Sequence, residues 1–437
     1  MKGAFGNLPE HWQLTRVDRV ASVNARIGWK ALTAAEYQEE GYAFLATPNI
    51  KTAEIDFREV NFISEFRYEE SPDLKLAVGD VLLAKDGNTL GIVNIVRDLP
   101  RPATVNGSIA VLRSHGIDPN FLRYVIASDI TQSAICAVKD GMGVPHLFQR
   151  DINRLAVPLP PAGEQRRISD FLDGEVARVN QMIALRLRQL AVIAERYAAV
   201  MSTAVVGRSR SDKMNKEWPW LPADLELTRL GYFARIQSGV TVDASRGPTG
   251  RDVEVPYLRV ANVQGERVDL AEVKTIRIPR DLADRATLRE GDVVMTEANG
   301  NPDNLGRGAV WRGEFADMVH QNHVFAIRTD GKRLLPEYLS VLLASAHGRR
   351  YFRFTSNQVG IATTSSGKVL NMPIPVCSLE RQAEVVATCM RAREATEDAS
   401  AALNRQLALL AERRRALITA AVTGQIDVTT ARGVRVP

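Results

Sequence analysis

The sequence predicts an α+β protein: two similar mixed α/β globular domains separated by two long antiparallel, coiled-coil-like helices, with an internal pseudo-two-fold repeat. Three observations predict it. The first is the apolar run Ile168, Leu172, Val176, Val179, Ile183, Leu187, Leu190, Ala194, Tyr197, Met201 and Ala204, whose ten steps cover 36 residues, the α-helical period. The second is a copy of that helix: Arg188-Gln-Leu-Ala-Val-Ile-Ala-Glu-Arg196 matches Arg405-Gln-Leu-Ala-Leu-Leu-Ala-Glu-Arg413 at seven of nine positions, at an offset of 217. The third is that the segments ahead of the two helices align as well.

Taken in order, residues 1–160 form the first globular domain. Its Leu8-Pro9, Leu14-Thr15-Arg16, Leu45, Asn49 and Ile55-Asp56-Phe57 answer Leu221-Pro222, Leu227-Thr228-Arg229, Leu258, Asn262 and Val268-Asp269-Leu270 of the second domain, residues 219–376. Gly79-Asp80-Val81-Leu82-Leu83 likewise answers Gly291-Asp292-Val293-Val294-Met295. β-Branched runs at 80–83, 91–96, 109–112 and 293–296, bounded by Gly, Asn and Asp, predict strands; 121–127 and 338–344 predict short helices. The first long helix occupies 161–207, with no internal Pro and Gly207 as its stop. A period of 3.6, not 3.5, asks for little supercoiling. The basic segment 208–218 reads as a linker, 377–424 as the second long helix ending at Gly424, and 425–437 as a tail. The helix-pair interface is predicted from Ile168, Leu172, Val179, Ile183, Leu190, Tyr197 and Met201 on one helix, and from Leu403, Leu407, Leu410, Leu417 and Ala421 on the other.

At 437 residues the chain exceeds one ordinary core, and 45% hydrophobic with 24% charged residues is globular. No stretch reads as a membrane span and no apolar leader is evident, which predicts a cytoplasmic protein with no membrane partner. Three isolated cysteines (Cys136, Cys377 and Cys389) fit a reducing compartment and offer no zinc motif. The net charge of +5 is not concentrated in a domain: residues 1–160 carry −2 and 219–376 carry +2. A nucleic-acid partner therefore requires basic residues gathered on one face, or phosphates shared with other subunits.

Catalytic motifs fail one by one. Asn301-Pro302-Asp303-Asn304 begins like an amino-methyltransferase motif but lacks the aromatic ring that would stack on a flipped base. Six residues separate Gly360 from Gly367-Lys368, where a phosphate loop needs four, and Val369 stands where a hydroxyl would bind magnesium. Glu272-Val273-Lys274 has the end of a metal-dependent nuclease motif but no Pro-Asp a suitable distance before it, His320 and His323 have no third metal ligand nearby in sequence, and no Gly-x-Ser-x-Gly occurs. The residues alone leave a stand-alone DNA-modifying enzyme and an architectural helical scaffold as alternatives to a binding module.

The Leu-Pro opening, the Gly-Asp-Val-Leu strand, the Pro158-Leu-Pro-Pro-x-x-Glu164-Gln165 helix entry and the Glu-Arg…Ala-Val-x-Gly exit, in this order and twice, resemble the specificity subunit of type I restriction-modification systems. The second helix departs at its start, where Glu380-Arg-Gln382 splits the Glu-Gln pair and leaves the first turn undefined. The resemblance implies a non-catalytic reader of double-stranded DNA, with two target-recognition domains for the halves of a split asymmetric target and the helices as a ruler. It also implies two modification (methyltransferase) subunits carrying S-adenosylmethionine, and restriction/translocase subunits using ATP and Mg. No cofactor or metal is expected on this chain.

Positions that agree between the halves should serve the fold, and polar positions that differ should read DNA. In the first domain these are Lys85, Asn88 and Thr89 in the turn after the Gly-Asp-Val-Leu strand, then Arg97, Arg101 and Asn106. In the second they are Asn299, Asn301, Asn304 and Arg307, then Gln321, Asn322 and His323. A basic and aromatic run adds Arg349, Arg350 and Arg353, interleaved with Tyr351, Phe352 and Phe354 and followed by Asn357 and Gln358.

Overall fold

Short β-branched runs cut by Gly, Asn and Asp cannot support long strands, and every strand is short. The computed structural model describes residues 5–428 apart from 7, 26–32, 138–144, 208–211, 242–249 and 358–359. The first domain has a four-stranded antiparallel sheet in the order Ala21–Asn24, Ile109–Ser114, Val81–Ala84, Val93–Ile95. A second sheet runs Asn61–Ile63, Tyr42–Leu45, Ala103–Val105, its last pair parallel. The second domain repeats both orders: Ala234–Ser238, Val324–Thr329, Val293–Thr296, Gly308–Val310, and Lys274–Pro279, Asp252–Leu258, Val319–His320, again with the last pair parallel. The duplication visible in sequence is therefore a duplication of topology.

Strand Val81–Ala84 is apolar and buried throughout because its alternate side chains enter two cores. Val81 and Leu83 pack with Phe121, Leu122 and Val125 of helix Pro119–Ala127, while Leu82 and Ala84 pack with Ala43, Leu45 and Val105 of the other sheet. Val293–Thr296 does the same in the second domain.

Polar anchors recur at matching positions. The buried amides of Asn49 and Asn262 each close a loop in the same way: Asn49 accepts from Ala46 N and donates to Asp56 O and Glu59 O, and Asn262 accepts from Arg259 N and donates to Asp269 O and Glu272 O. Buried Asp80 is clasped by both guanidinium ends of Arg113 at 2.9 Å, and buried Asp292 by those of Arg328 at 2.7 Å. The bidentate fork suits a carboxylate that has lost its water.

The long helices are Ala162–Val206 and Leu379–Val422, with left-handed glycines at Gly207 (φ 74°) and Gly424 (φ 71°) as stops. Their starts lie 217 residues apart, which settles the first turn of the second helix. Gln382, not the displaced Glu380, inherits the place of Gln165. Gln165 accepts from Asp118 N and donates to Pro160 O; Gln382 accepts from Leu335 N and donates to Arg333 O and Cys377 O.

The chain divides into two compact units, Met1–Leu187 with Asn404–Pro437, and Arg188–Leu403. Neither unit is a domain plus its own helix. Each domain is clasped by the beginning of the helix that follows it and the end of the other. In the first unit Asp129 N donates to Thr419 Oγ1 (3.0 Å) and Arg414 Nη1 to Asn180 Oδ1 (2.8 Å). In the second, Ala346 N donates to Ser202 Oγ (3.3 Å) and Arg381 Nη2 to Ala204 O (3.2 Å). Within each unit, then, the helix segments run antiparallel.

The predicted interface residues divide accordingly. Ile168 and Leu172 are buried in the first domain's core with Ala421 and half-buried Leu417, and Met201 in the second domain's core. Val179 is also buried. Ile183, Leu190, Tyr197, Leu403, Leu407 and Leu410 are half-buried. Two expectations need correction. Leu187 is 54% exposed and Ala194 is exposed; the sheltered seam is Val179, Ile183, Arg186, Leu190, Ile193, Tyr197, Val200. Those six steps cover 21 residues, a helical stripe displaced by one residue at Arg186 and Ile193. The first helix also contains an 18-residue window of mean hydropathy 1.2, apolar and long enough to pass as a membrane span by composition. Here the ends of that helix fill domain cores.

Candidate nucleic-acid interface

In the first domain the hairpin following strand Val81–Ala84 is stitched to two distant loops. Lys85 N donates to Ser108 O (2.8 Å), Leu147 N to Lys85 O (2.8 Å), and Gly87 N to Pro145 O (2.9 Å). This junction exposes Asn88 and half-exposes Thr89 and Asn106. Thr89 Oγ1 donates to Asp86 O, and Asn106 Oδ1 accepts from Ser108 N, so both also hold turns. The predicted Lys85 is not available: its side chain is 8% exposed, with Nζ 3.7 Å from Asp86. Arg97 and Arg101 lie beyond the other end of the hairpin strands. Arg97 is bound to Asp173 and Asn120, and Arg101 lies over the Phe62 ring at 5.1 Å.

The same junction collects residues the sequence reading missed. His146 bonds Asp86 through Nδ1, its ring stands 4.5 Å from that of Phe148, and the Arg150 guanidinium lies 5.0 Å over Phe148. Phe148 is 52% exposed. An exposed aromatic ring beside basic groups is chemistry a base or sugar would meet. The run Pro-His-Leu-Phe-Gln-Arg (145–150) was its signal.

The second domain builds a larger junction. Hairpin 297–307 is braced by Asn side chains: Asn299 Oδ1 accepts from Asn301 N, and Asn301 Oδ1 from Asp303 N. Asn304 O accepts from Thr296 Oγ1. Helix Ala346–Thr355 lies against this hairpin. Arg349 Nη1 donates to Asp303 O (3.2 Å) and Leu305 O (3.1 Å), and Arg353 approaches Asp303 at 3.7 Å. Burial first, and the neighbouring Arg307 charge second, push the Arg349 guanidinium down to about 10. Gly306 (φ 75°) permits the fit, since a Cβ there would stand 2.4 Å from the Phe352 ring.

Two further loops join. Glu297 N donates to His323 O, with His323 Nδ1 3.4 Å from Glu297 Oε2, and Thr364 N donates to Glu297 O. Ala298–Asn299 pairs with Ala362–Thr363, whose Thr363 pairs with Asn357. Asn299, Asn301, Asn304, Arg307, His323, Arg349, Arg353 and Asn357 thus converge from four chain segments. Gln321 accepts from Val260 N and Asn322 N donates to Val240 O, placing both at the edge of the junction. Arg350 is exposed, and Gln358 lies outside the described residues.

The basic and aromatic run does not form one face. Helical geometry turns Tyr351 and Phe352 into the core (3% and 1% exposed). Phe354 is 71% exposed and stands against Trp218 and Trp220. His320 and His323 also part company: His320 is fully buried with Nδ1 on Val324 O, while His323 faces out. Among the described residues no group of three His, Cys, Asp or Glu could hold a metal.

The family model for the type I restriction modification DNA specificity domain matches residues 9–185. The type I restriction enzyme EcoKI specificity subunit of Escherichia coli K12 is 24% identical over 87% of this chain and 82% of its own length. The StySPI specificity subunit of Salmonella potsdam is 22% identical over the same shares. A solved chain from work on complex assembly and conformational transition of a type I R-M system superposes at a TM-score of 0.70, covering 96% of this chain and all of its own, at 17% identity. The chain resembles the specificity subunits of type I restriction-modification systems. The two loop junctions are where the halves of this repeated scaffold differ: Asn49/Asn262 and Asp80/Asp292 are held in common, whereas Asp86, Asn88 and His146 have no like counterparts among Asn299, Asn301 and Asn304.

Proposed function

We propose that this chain is the DNA-reading subunit of a type I restriction-modification complex, with no chemistry of its own. The junction at 85–90, 106–108 and 145–150 reads one half of a split, asymmetric target. The junction at 297–307, 321–323 and 349–364 reads the other. The observation that carries this reading is one scaffold built twice with different polar residues at its tips: shared anchors fix the loops, and unlike loops suit unlike half-sites.

A second observation supports the partners of this reading. The nine-residue helix repeat is mostly exposed: Arg188, Gln189, Ala191, Val192, Glu195 and Arg196 on one helix, and Arg405, Gln406, Ala408, Leu409, Glu412 and Arg413 on the other. Val192 and Leu409 are 60% and 63% exposed. Packing does not require identity at solvent-facing positions, so two copies of one partner are the natural occupants, namely the modification subunits that supply S-adenosylmethionine and adenine methylation. Restriction subunits, with ATP and Mg, join that assembly. Methylome sequencing of the host with and without the gene tests the reading. The expected result is a bipartite methylated motif that disappears with the gene; methylation unchanged by deletion, or a single undivided motif, overturns it.

A further inference from the structure

The two domains are fixed to the helices by different means. In the first unit one carboxylate, Asp173 on helix Ala162–Val206, gathers four side chains of the domain. Its Oδ1 accepts from Tyr124 Oη (2.7 Å), Arg97 Nη2 (2.9 Å) and Arg123 Nη2 (3.0 Å), and its Oδ2 from Asn120 Nδ2 (2.7 Å). Arg97 follows the hairpin strand Val93–Ile95, whose other end carries the recognition junction, and the other three sit on helix Pro119–Ala127 beneath the sheet. The carboxylate therefore ties both layers of the domain to one point of the helix.

Among the described residues the second unit lacks this device. Met390, 51% exposed, stands where the repeat would place the carboxylate, and Glu337, Ser340 and Val341 replace Asn120, Arg123 and Tyr124. Arg312, the counterpart of Arg97, turns to Glu337 (2.7 Å). A cavity of about 240 Å³, lined by Glu266, Arg312, Glu337, Met390 and Arg393, occupies the place. That domain is held instead through Glu266, at φ 60°, whose carboxylate accepts from Tyr197 Oη and whose carbonyl accepts from Arg393 Nη1 (3.2 Å).

We propose that Asp173 is a positioning residue for recognition. It fixes the angle at which the first domain leaves the helix, and so the number of base pairs tolerated between the two half-sites. This rests on the reading of the chain as a bipartite DNA reader. Core contacts alone, through Ile168 and Leu172, resist separation of domain from helix but are non-directional, whereas four directed bonds to one carboxylate resist rotation. A base pair advances a duplex by roughly 3.4 Å, so a small pivot at the joint suffices to admit a neighbouring gap length.

The test uses the full chain expressed with its modification subunits in a host whose methylome is sequenced. Wild type should methylate one gap length. Asp173→Ala should keep both half-site sequences but raise methylation at gaps one base pair longer or shorter by about tenfold, equal to ~1.4 kcal/mol of lost discrimination. Arg97→Ala is the second variant, because an arginine whose side chain is 47% exposed can be truncated without unfolding the domain; it should relax the gap in the same direction. A gap that stays strict in both variants, or a first half-site whose sequence changes, overturns the proposal. Wild type without a bipartite motif would instead sink the functional reading beneath it.

Discussion

Arg349 offers the sharpest test of how the second domain holds DNA. Burial and the adjacent Arg307 lower its pKa from the ordinary guanidinium value to about 10. At 1.36 kcal/mol per unit the folded chain holds this charge at a cost on the order of 3 kcal/mol. For a base lowered in the fold, the unfolded chain binds the extra proton from about pH 10 up to the ordinary guanidinium value. The cost is therefore fully present at neutral pH and disappears only above that window. A phosphate entering the junction would offset it. Arg349→Met keeps the stem and relieves the cost of the buried charge, which offsets the donor lost to the carbonyls of exposed Asp303 and buried Leu305. We expect little loss of stability but weaker DNA binding by the assembled complex. One phosphate contact contributes a slope of about −0.9 in log affinity against log salt, so the variant's deficit should shrink about 3.5-fold between 50 and 200 mM salt. Fluorescence anisotropy with a cognate duplex, and with one scrambled in the second half-site, reads both quantities. The loss should be equal on the two duplexes. A slope unchanged from wild type, or a loss confined to the cognate duplex, would refute a phosphate role.

Two further outcomes concern stability. His347 and His320 are buried in the second unit, and burial lowers both below the ordinary histidine value; His347 accepts from Trp220 Nε1 and bonds Pro373 O through Nε2, as a neutral ring does. The unfolded state binds the extra protons, so stability present above about pH 6.5 should fall on acidification, by at most ~1.4 kcal/mol per pH unit per histidine. Melting curves between pH 7.5 and 5.5 should show the fall, and His347→Gln should lessen it. Asp292→Ala strips the partner from Arg328, whose side chain is 35% exposed. After discounting for water reaching that guanidinium the cost should be about 2–3 kcal/mol, read as a drop of roughly 5–10 °C in Tm; an unchanged Tm would show the clasp to be idle.

The sequence by itself determined whatever repeats or has a short period. The duplication, the strand before each long hairpin, Asn49 with Asn262, Asp80 with Asp292, and both long helices with their glycine stops are local patterns, legible because backbone geometry maps spacing onto a face or a turn. Only the tertiary structure decided which polar groups stand at the loop junctions. His146 reaches Asp86 across sixty residues of chain, Arg97 is captured by Asp173, Lys85 is buried, and a helical turn sends Tyr351 and Phe352 inward while leaving Phe354 outside. It also decided that each compact unit takes the start of one helix and the end of the other. These are long-range pairings, set by which buried groups find partners when the whole unit closes, and no local period encodes them.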